Sequence, residues 1–185
     1  PGSTFKIVVM AAALEEGLKL DHSVYCPGYL EFGNRRFHCW KRFGHGDMDM
    51  IDAFRQSCDV WFYEVARRLG IDTIAAMSRK LGLGAPLGIE LVGERSGLIP
   101  DRNWKRAALG EPWHPGETLV AGIGQGYILT TPLQLAVMTA RVVNGGKEVV
   151  PHLAESILHQ DGQEEPVAPV FPDLGLKPAT LKVIR

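Results

Sequence analysis

The chain has 185 residues, 45% of them apolar, with a formal net charge of -1 from 20 basic and 21 acidic side chains. That apolar share supports a real core and sets disorder aside, and the balanced charge supplies no field to gather nucleic acid or an anionic membrane surface. No stretch approaches the roughly 20 consecutive apolar residues of a membrane helix, and three cysteines exclude a framework in which every thiol pairs within the chain.

The sequence opens on Pro1-Gly2-Ser3-Thr4-Phe5-Lys6 without a methionine. We therefore expect an internal piece of a longer protein, truncated at both ends and lacking its leader or anchor. Thr4 to Glu16 reads as a helix apolar on nearly all faces, which belongs at the centre of a domain, with Gly17 as its stop. Tyr29-Leu30-Glu31-Phe32 and Arg35-Arg36-Phe37-His38-Cys39 flank Gly33-Asn34, a hairpin pattern. Helical periodicity returns at Met50 to Gln56, Val60 to Leu69 before Gly70, and Ile71 to Leu81 before Gly82. From Gly84 to Gly126 glycine and proline imply an irregular stretch with one short helix around Arg102 to Leu109. Thr130-Thr131-Pro132 opens a helix over Leu133 to Val143, whose apolar face is expected to pack on the first helix. Val149-Val150 and Ser156-Ile157-Leu158 read as short strands, Gln160 to Lys177 as a surface excursion, and Pro178 as the start of a last helix.

Ser3 and Lys6 stand at helical spacing i, i+3, which puts their Cβ atoms on one face about 5–6 Å apart. A serine hydroxyl is a weak nucleophile unless a base within hydrogen-bond reach takes its proton. A buried lysine, which desolvation pushes toward the neutral amine, can do so, and the helix N-terminus favours the developing negative charge. Ser3 is thus the candidate nucleophile and Lys6 its proton acceptor. Four residues recur by chance, so later elements must decide. The next is Ser57-Cys58-Asp59, at a junction of two predicted helices.

Pro1-Gly2-Ser3-Thr4-Phe5-Lys6, Trp40-Lys41-Arg42-Phe43-Gly44-His45-Gly46, Ser57-Cys58-Asp59 and Gly122-Ile123-Gly124-Gln125-Gly126-Tyr127 with Thr131-Pro132-Leu133-Gln134-Leu135-Ala136 follow in order. This succession resembles the transpeptidase domain of class B penicillin-binding proteins, most closely the cell-elongation branch, over nearly the whole chain. The resemblance implies an enzyme anchored at the periplasmic face of the inner membrane that cross-links peptidoglycan stem peptides and is a target of β-lactams. Ser3 would attack the D-Ala-D-Ala bond, Ser57 would shuttle a proton between Lys6 and the leaving amine, and Asp59 would orient Lys6 or contact substrate. Gly124, Gln125 and Gly126 would keep a substrate-binding loop close to the cleft. The implied partners are a membrane glycan polymerase and shape-determining scaffold proteins; nucleic acid and organic cofactors are not among them.

The family's Lys-Thr-Gly strand, which binds substrate carboxylate, does not occur in these residues. We expect a fold that is mainly α with few short strands, the helical part of an α/β transpeptidase fold whose central antiparallel sheet is largely missing. Residues 1–185 would then be one partial transpeptidase domain, without useful turnover alone. Rival readings are a serine β-lactamase or β-lactam sensor, which share Ser-x-x-Lys, and a non-catalytic, zinc-stabilised helical interaction module.

Cys26, Cys39, His45 and Cys58 all lie between the two catalytic motifs, a donor set that satisfies a tetrahedral structural Zn²⁺. Residues 18–47 would be a hairpin-containing insertion tied by the metal to the second motif, because Cys58 should point opposite to Ser57 and Asp59. His38 or His22 are substitute ligands. Buried free thiols and a Cys26–Cys39 disulfide are the alternatives. Trp40, Trp61, Phe62 and Tyr63 read as core.

Overall fold

The computed structural model describes residues 1–167 and 169–185. It is built around one short helix, α1 (Lys6–Glu15), which continues directly from a 3₁₀ turn over Gly2–Phe5. Because Ile7 to Ala13 is almost purely apolar, α1 can be surrounded, and Val8 through Ala13 are all buried. Around it pack α3 (Asp59–Leu69), α4 (Ile71–Lys80) and α8 (Pro178–Ile184). A shorter α2 (Met50–Arg55) leads into α3, and the side chain of Asp49 caps it by accepting the Asp52 N–H.

The outer helices are α5 (Arg102–Leu109), α6 (Pro115–Gly122) and α7 (Pro132–Val143). The approach of α6 to α3 is close: a Cβ on Gly122 would stand 2.4 Å from Ala66 Cβ, so only glycine fits that crossing. Trp61 and Phe62 on α3 are fully buried with their rings edge to face, and the Trp61 indole N–H donates to the His22 carbonyl.

Strands form three separate antiparallel ribbons: β1 (Val24–Cys26) with β4 (Gly46–Met48), β2 (Tyr29–Phe32) with β3 (Arg35–His38), and β5 (Ser156–Leu158) with β6 (Glu164–Pro166). Among the described residues no larger sheet exists. The mainly α reading therefore holds, and the β2–β3 hairpin turns at Gly33-Asn34, with Phe32 opposite Arg35.

Several expectations are corrected. The first helix splits, its opening turn being 3₁₀. The segment from Gly84 to Gly126 holds a second helix, α6, whose signals were proline at its first turn and Glu117 accepting the His114 N–H. Val149-Val150 forms no strand, because pairing there is limited to a single bridge between Lys147 and Asp173. The predicted contact of α7 with α1 is minor at most, and α8 packs on both helices. The inner face of α7 is partly polar: buried Gln134 donates to the carbonyls of Ala85 and Ser96, and buried Arg141 to that of Lys80. Those groups need loop carbonyls, which an apolar helix cannot offer.

Candidate active site

The 3₁₀ turn brings Ser3 and Lys6 into line, because three residues make one full turn. Ser3 is exposed, whereas Lys6, one turn on at the start of the core helix, is 1% exposed. A charged group that deep needs partners on every side. Lys6 Nζ donates to the Ser57 carbonyl at 2.9 Å, to Ser57 Oγ at 2.9 Å and to Asp59 Oδ1 at 2.6 Å. It also sits 5.2 Å from the centre of the Phe62 ring.

Ser57 Oγ in turn lies 2.9 Å from Ser3 Oγ. The structure thus brings Ser3, Ser57, Lys6 and Asp59 into one hydrogen-bonded chain. It also alters the direct acceptor role expected of Lys6: no hydrogen bond joins Lys6 to Ser3 among the described residues, and the path runs through Ser57. Ser57 takes this position in a left-handed conformation, φ 54°, and is the single non-glycine described residue with positive φ. Such a conformation is strained for serine and persists only where the surroundings hold it.

Part of that hold comes from Trp40, which sequence reasoning placed in the core. Its side chain is 65% exposed, because its work is at the rim: the indole N–H donates to the carbonyls of Ser57 (3.0 Å) and Gln56 (3.1 Å). The backbone N–H of Trp40 donates to Asp59 Oδ2 at 2.9 Å, so Asp59 is shared between Lys6 and Trp40. The signal for Trp40 was its position beside Cys39; a backbone donor leaves no mark in a sequence. Trp61, Phe62 and Tyr63 are buried as expected. Burial, with the Asp59 charge adding to it, pushes the Tyr63 phenol above its ordinary range.

The loop of Gly124, Gln125 and Gly126 reaches the nucleophile by its backbone. Gly2 N–H donates to Gly124 O at 3.0 Å, and a Cβ on Gly124 would stand 2.3 Å from Gly2 O. Gly124 has φ 73°, so both space and conformation require glycine there. Gln125 is exposed beside Gly2, while Gly126 lines a separate cleft of about 710 Å³ with Phe37, Trp113 and Tyr127.

Cys26, Cys39, His45 and Cys58 gather with all four ligand atoms within 4.8 Å of one another. His45 Nδ1 lies 3.6 Å from Cys26 Sγ and 3.5 Å from Cys39 Sγ. Tetrahedral zinc with ordinary Zn–S and Zn–N bonds sets such an N–S separation at about 3.6 Å, so the donor set fits the ion. All three thiols are free, which leaves out the Cys26–Cys39 disulfide. The Cys58 thiol hydrogen-bonded to Cys39 holds Cys39 well below the usual thiol range and is itself pushed up. Cys58 points into this cluster while Ser57 and Asp59 on either side point to Lys6. His22 packs on Trp61 and His38 near Tyr29, both outside the cluster.

The model of the penicillin binding protein transpeptidase domain matches residues 1–176. Peptidoglycan D,D-transpeptidase MrdA of Haemophilus influenzae is 41% identical over 160 residues, 85% of this chain and 25% of that protein. Among solved structures, PBP2 of Pseudomonas aeruginosa in complex with WCK 5153 superposes with a TM-score of 0.89 at 41% identity, covering 100% of this chain and 42% of that one. The complex between PBP2 and MreC from Helicobacter pylori gives 0.86 at 31% identity, covering 100% and 33%. The chain therefore spans about a quarter of that curated relative's length and less than half of either solved chain. With the motifs in family order, the matched fold and the hydrogen-bonded serines and lysine in place, this chain belongs to the penicillin-binding protein transpeptidase family.

Proposed function

We propose that this chain carries the nucleophile and proton relay of a peptidoglycan D,D-transpeptidase of the cell-elongation type. The observation that supports it is the chain of hydrogen bonds from Ser3 through Ser57 to Lys6 and Asp59. Ser3 Oγ attacks the carbonyl carbon of the D-Ala-D-Ala bond while its proton moves to Ser57, and the Ser57 proton moves to the amine form of Lys6, reached when the resting ammonium gives one proton to solvent. The Asp59 carboxylate stabilises the ammonium so formed. The N–H of Ser3, in the first turn and without a helical acceptor, supplies one donor for the oxyanion. When the C–N bond breaks, the proton returns through Ser57 to the departing D-alanine amine. A second strand's amine then attacks the acyl ester, gives its proton to the same relay and restores Ser3. A β-lactam opens on Ser3 by the same first step.

The substrate's carboxylate calls for a Lys-Thr-Gly element, and these 185 residues contain none. The stretch is thus one partial transpeptidase domain, and alone it turns over no substrate. In the whole protein the domain faces the periplasm from an anchor in the inner membrane; among the described residues no helix is long and apolar enough to cross one. The whole protein works with a glycan polymerase and with shape-determining scaffold proteins, a reading supported in kind by the PBP2–MreC complex. A fluorescent penicillin should label the wild-type full-length protein and fail to label Ser3→Ala; equal labelling of the two would end this reading.

Cys26, Cys39, His45 and Cys58 hold a structural zinc in this proposal, joining the 18–47 segment to the Ser57 motif. When bound, the ion supplies no step of the reaction; it cross-links loops that have little core of their own. Elemental analysis should find about one zinc per wild-type chain and little in Cys39→Ser, and metal-free wild-type protein sinks the idea.

A further inference from the structure

The loop between β3 and β4 is held firmly from beneath. Cys39 N–H donates to Gly28 O, His45 N–H to Cys26 O and Gly44 N–H to Lys41 O. The backbones approach so closely that a Cβ on Gly44 would stand 2.1 Å from Cys26 O, and one on Gly28 would stand 2.3 Å from Arg42 O. Yet this rigid loop presents two large aromatics outward, Trp40 at 65% and Phe43 at 89% exposure, with exposed Lys41 and Arg42 between them. Neither cation enters an ion pair among the described residues. The Arg42 guanidinium lies 5.8 Å from the Phe43 ring centre instead.

Its place decides what this surface can meet. Trp40 is hydrogen-bonded to the Ser57 carbonyl, so the loop begins at the edge of the residue that must take the attacking amine's proton. An incoming amine has to approach Ser57 from outside, and a chain bearing it that passed over Trp40 would meet the exposed Lys41, Arg42 and Phe43 next. Stem peptides carry free carboxylates on a glycan, which matches two unpaired cations set between aromatic faces.

We infer that Trp40, Lys41, Arg42 and Phe43 form the subsite for the acceptor strand of peptidoglycan. Lys41 and Arg42 meet its peptide carboxylates, and Trp40 and Phe43 meet the apolar faces of its sugars or side chains. This rests on the acyl-transfer reading above and adds the second substrate to it.

The test separates the two half-reactions in the full-length protein. Fluorescent penicillin reports acylation, which needs no acceptor. Transfer from a small thioester donor to a disaccharide-tetrapeptide reports acceptor use. Phe43→Ser, and Lys41→Gln with Arg42→Gln, should label at the wild-type rate while the KM for the acceptor rises about tenfold. An acceptor with amidated carboxylates should be indifferent to the charge variant. Unchanged acceptor KM in normally labelled variants overturns the subsite. If labelling of a variant also falls, the wild-type salt response decides: an acceptor KM that climbs with salt supports the cations' role, and a flat one overturns it. A wild-type protein that is not labelled at Ser3 ends the acyl-transfer reading itself, and the subsite with it.

Discussion

Ser57→Ala in the full-length protein is expected to slow acylation of Ser3 by about 10²- to 10⁴-fold, the usual worth of a positioned proton carrier. Ser57 Oγ is 2.9 Å from Ser3 Oγ and 2.9 Å from Lys6 Nζ, and among the described residues no other group links the two. Removing the hydroxyl leaves Lys6 bonded to the Ser57 carbonyl and to Asp59, so the base stays in place but loses its path. The backbone needs its own control, since Ser57 sits at φ 54°. Alanine tolerates that conformation no better than serine, whereas glycine relieves about 1–2 kcal/mol of strain. Ser57→Gly should therefore melt higher than Ser57→Ala and be equally slow. Time courses with fluorescent penicillin, beside thermal melts, check both statements. Near wild-type acylation by either variant would remove Ser57 from the relay.

Asp59→Ala should be strongly destabilising. Lys6 is 1% exposed and its ammonium is directed at two acceptors on Ser57 and one on Asp59. Without the carboxylate a buried charge is left without its counter-charge, and the Trp40 N–H loses its acceptor as well. Breaking a buried pair costs about 3–5 kcal/mol. For a domain of about 150–250 residues that unfolds as one unit this corresponds to a fall in Tm of roughly 6–20 °C. Replacing both partners, Lys6→Met with Asp59→Leu, should recover most of the loss, because no charge is then left buried, while acylation stays abolished. A melt of Asp59→Ala within two or three degrees of wild type would show that the pair carries little of the fold. The same experiment bears on function, since Asp59 also fixes the backbone of Trp40 and so the start of the 40–43 loop.

Much of this was legible in the residues themselves. The central helix follows from Ile7 to Ala13 being apolar on all sides, and α3 and α4 follow from strong amphipathic periodicity ended by Gly70 and Gly82. The hairpin follows from Gly33-Asn34 between alternating runs. The three cysteines and one histidine that cluster in the fold could be collected because their chemistry narrows the options to few. Elements with weak local signals were lost. Strands β1 and β4 are three residues each and exist only by pairing between residues 20 to 24 positions apart, and α6 hides between prolines and glycines that usually mark loops.

The sequence by itself offered Ser3 and Lys6 as nucleophile and base, because those are properties of residue type and short spacing, while Ser57 and Asp59 came from the order of motifs that the family resemblance supplied. Only the tertiary structure decided how they are wired. Lys6 and Ser57 are far apart in the chain, and their contact exists because α1 and α3 pack side by side in one core. That packing turned an expected Ser3–Lys6 pair into a three-member path through Ser57. It also brought Trp40, through a backbone N–H and an indole N–H that no pattern of side chains encodes, to the edge of the site.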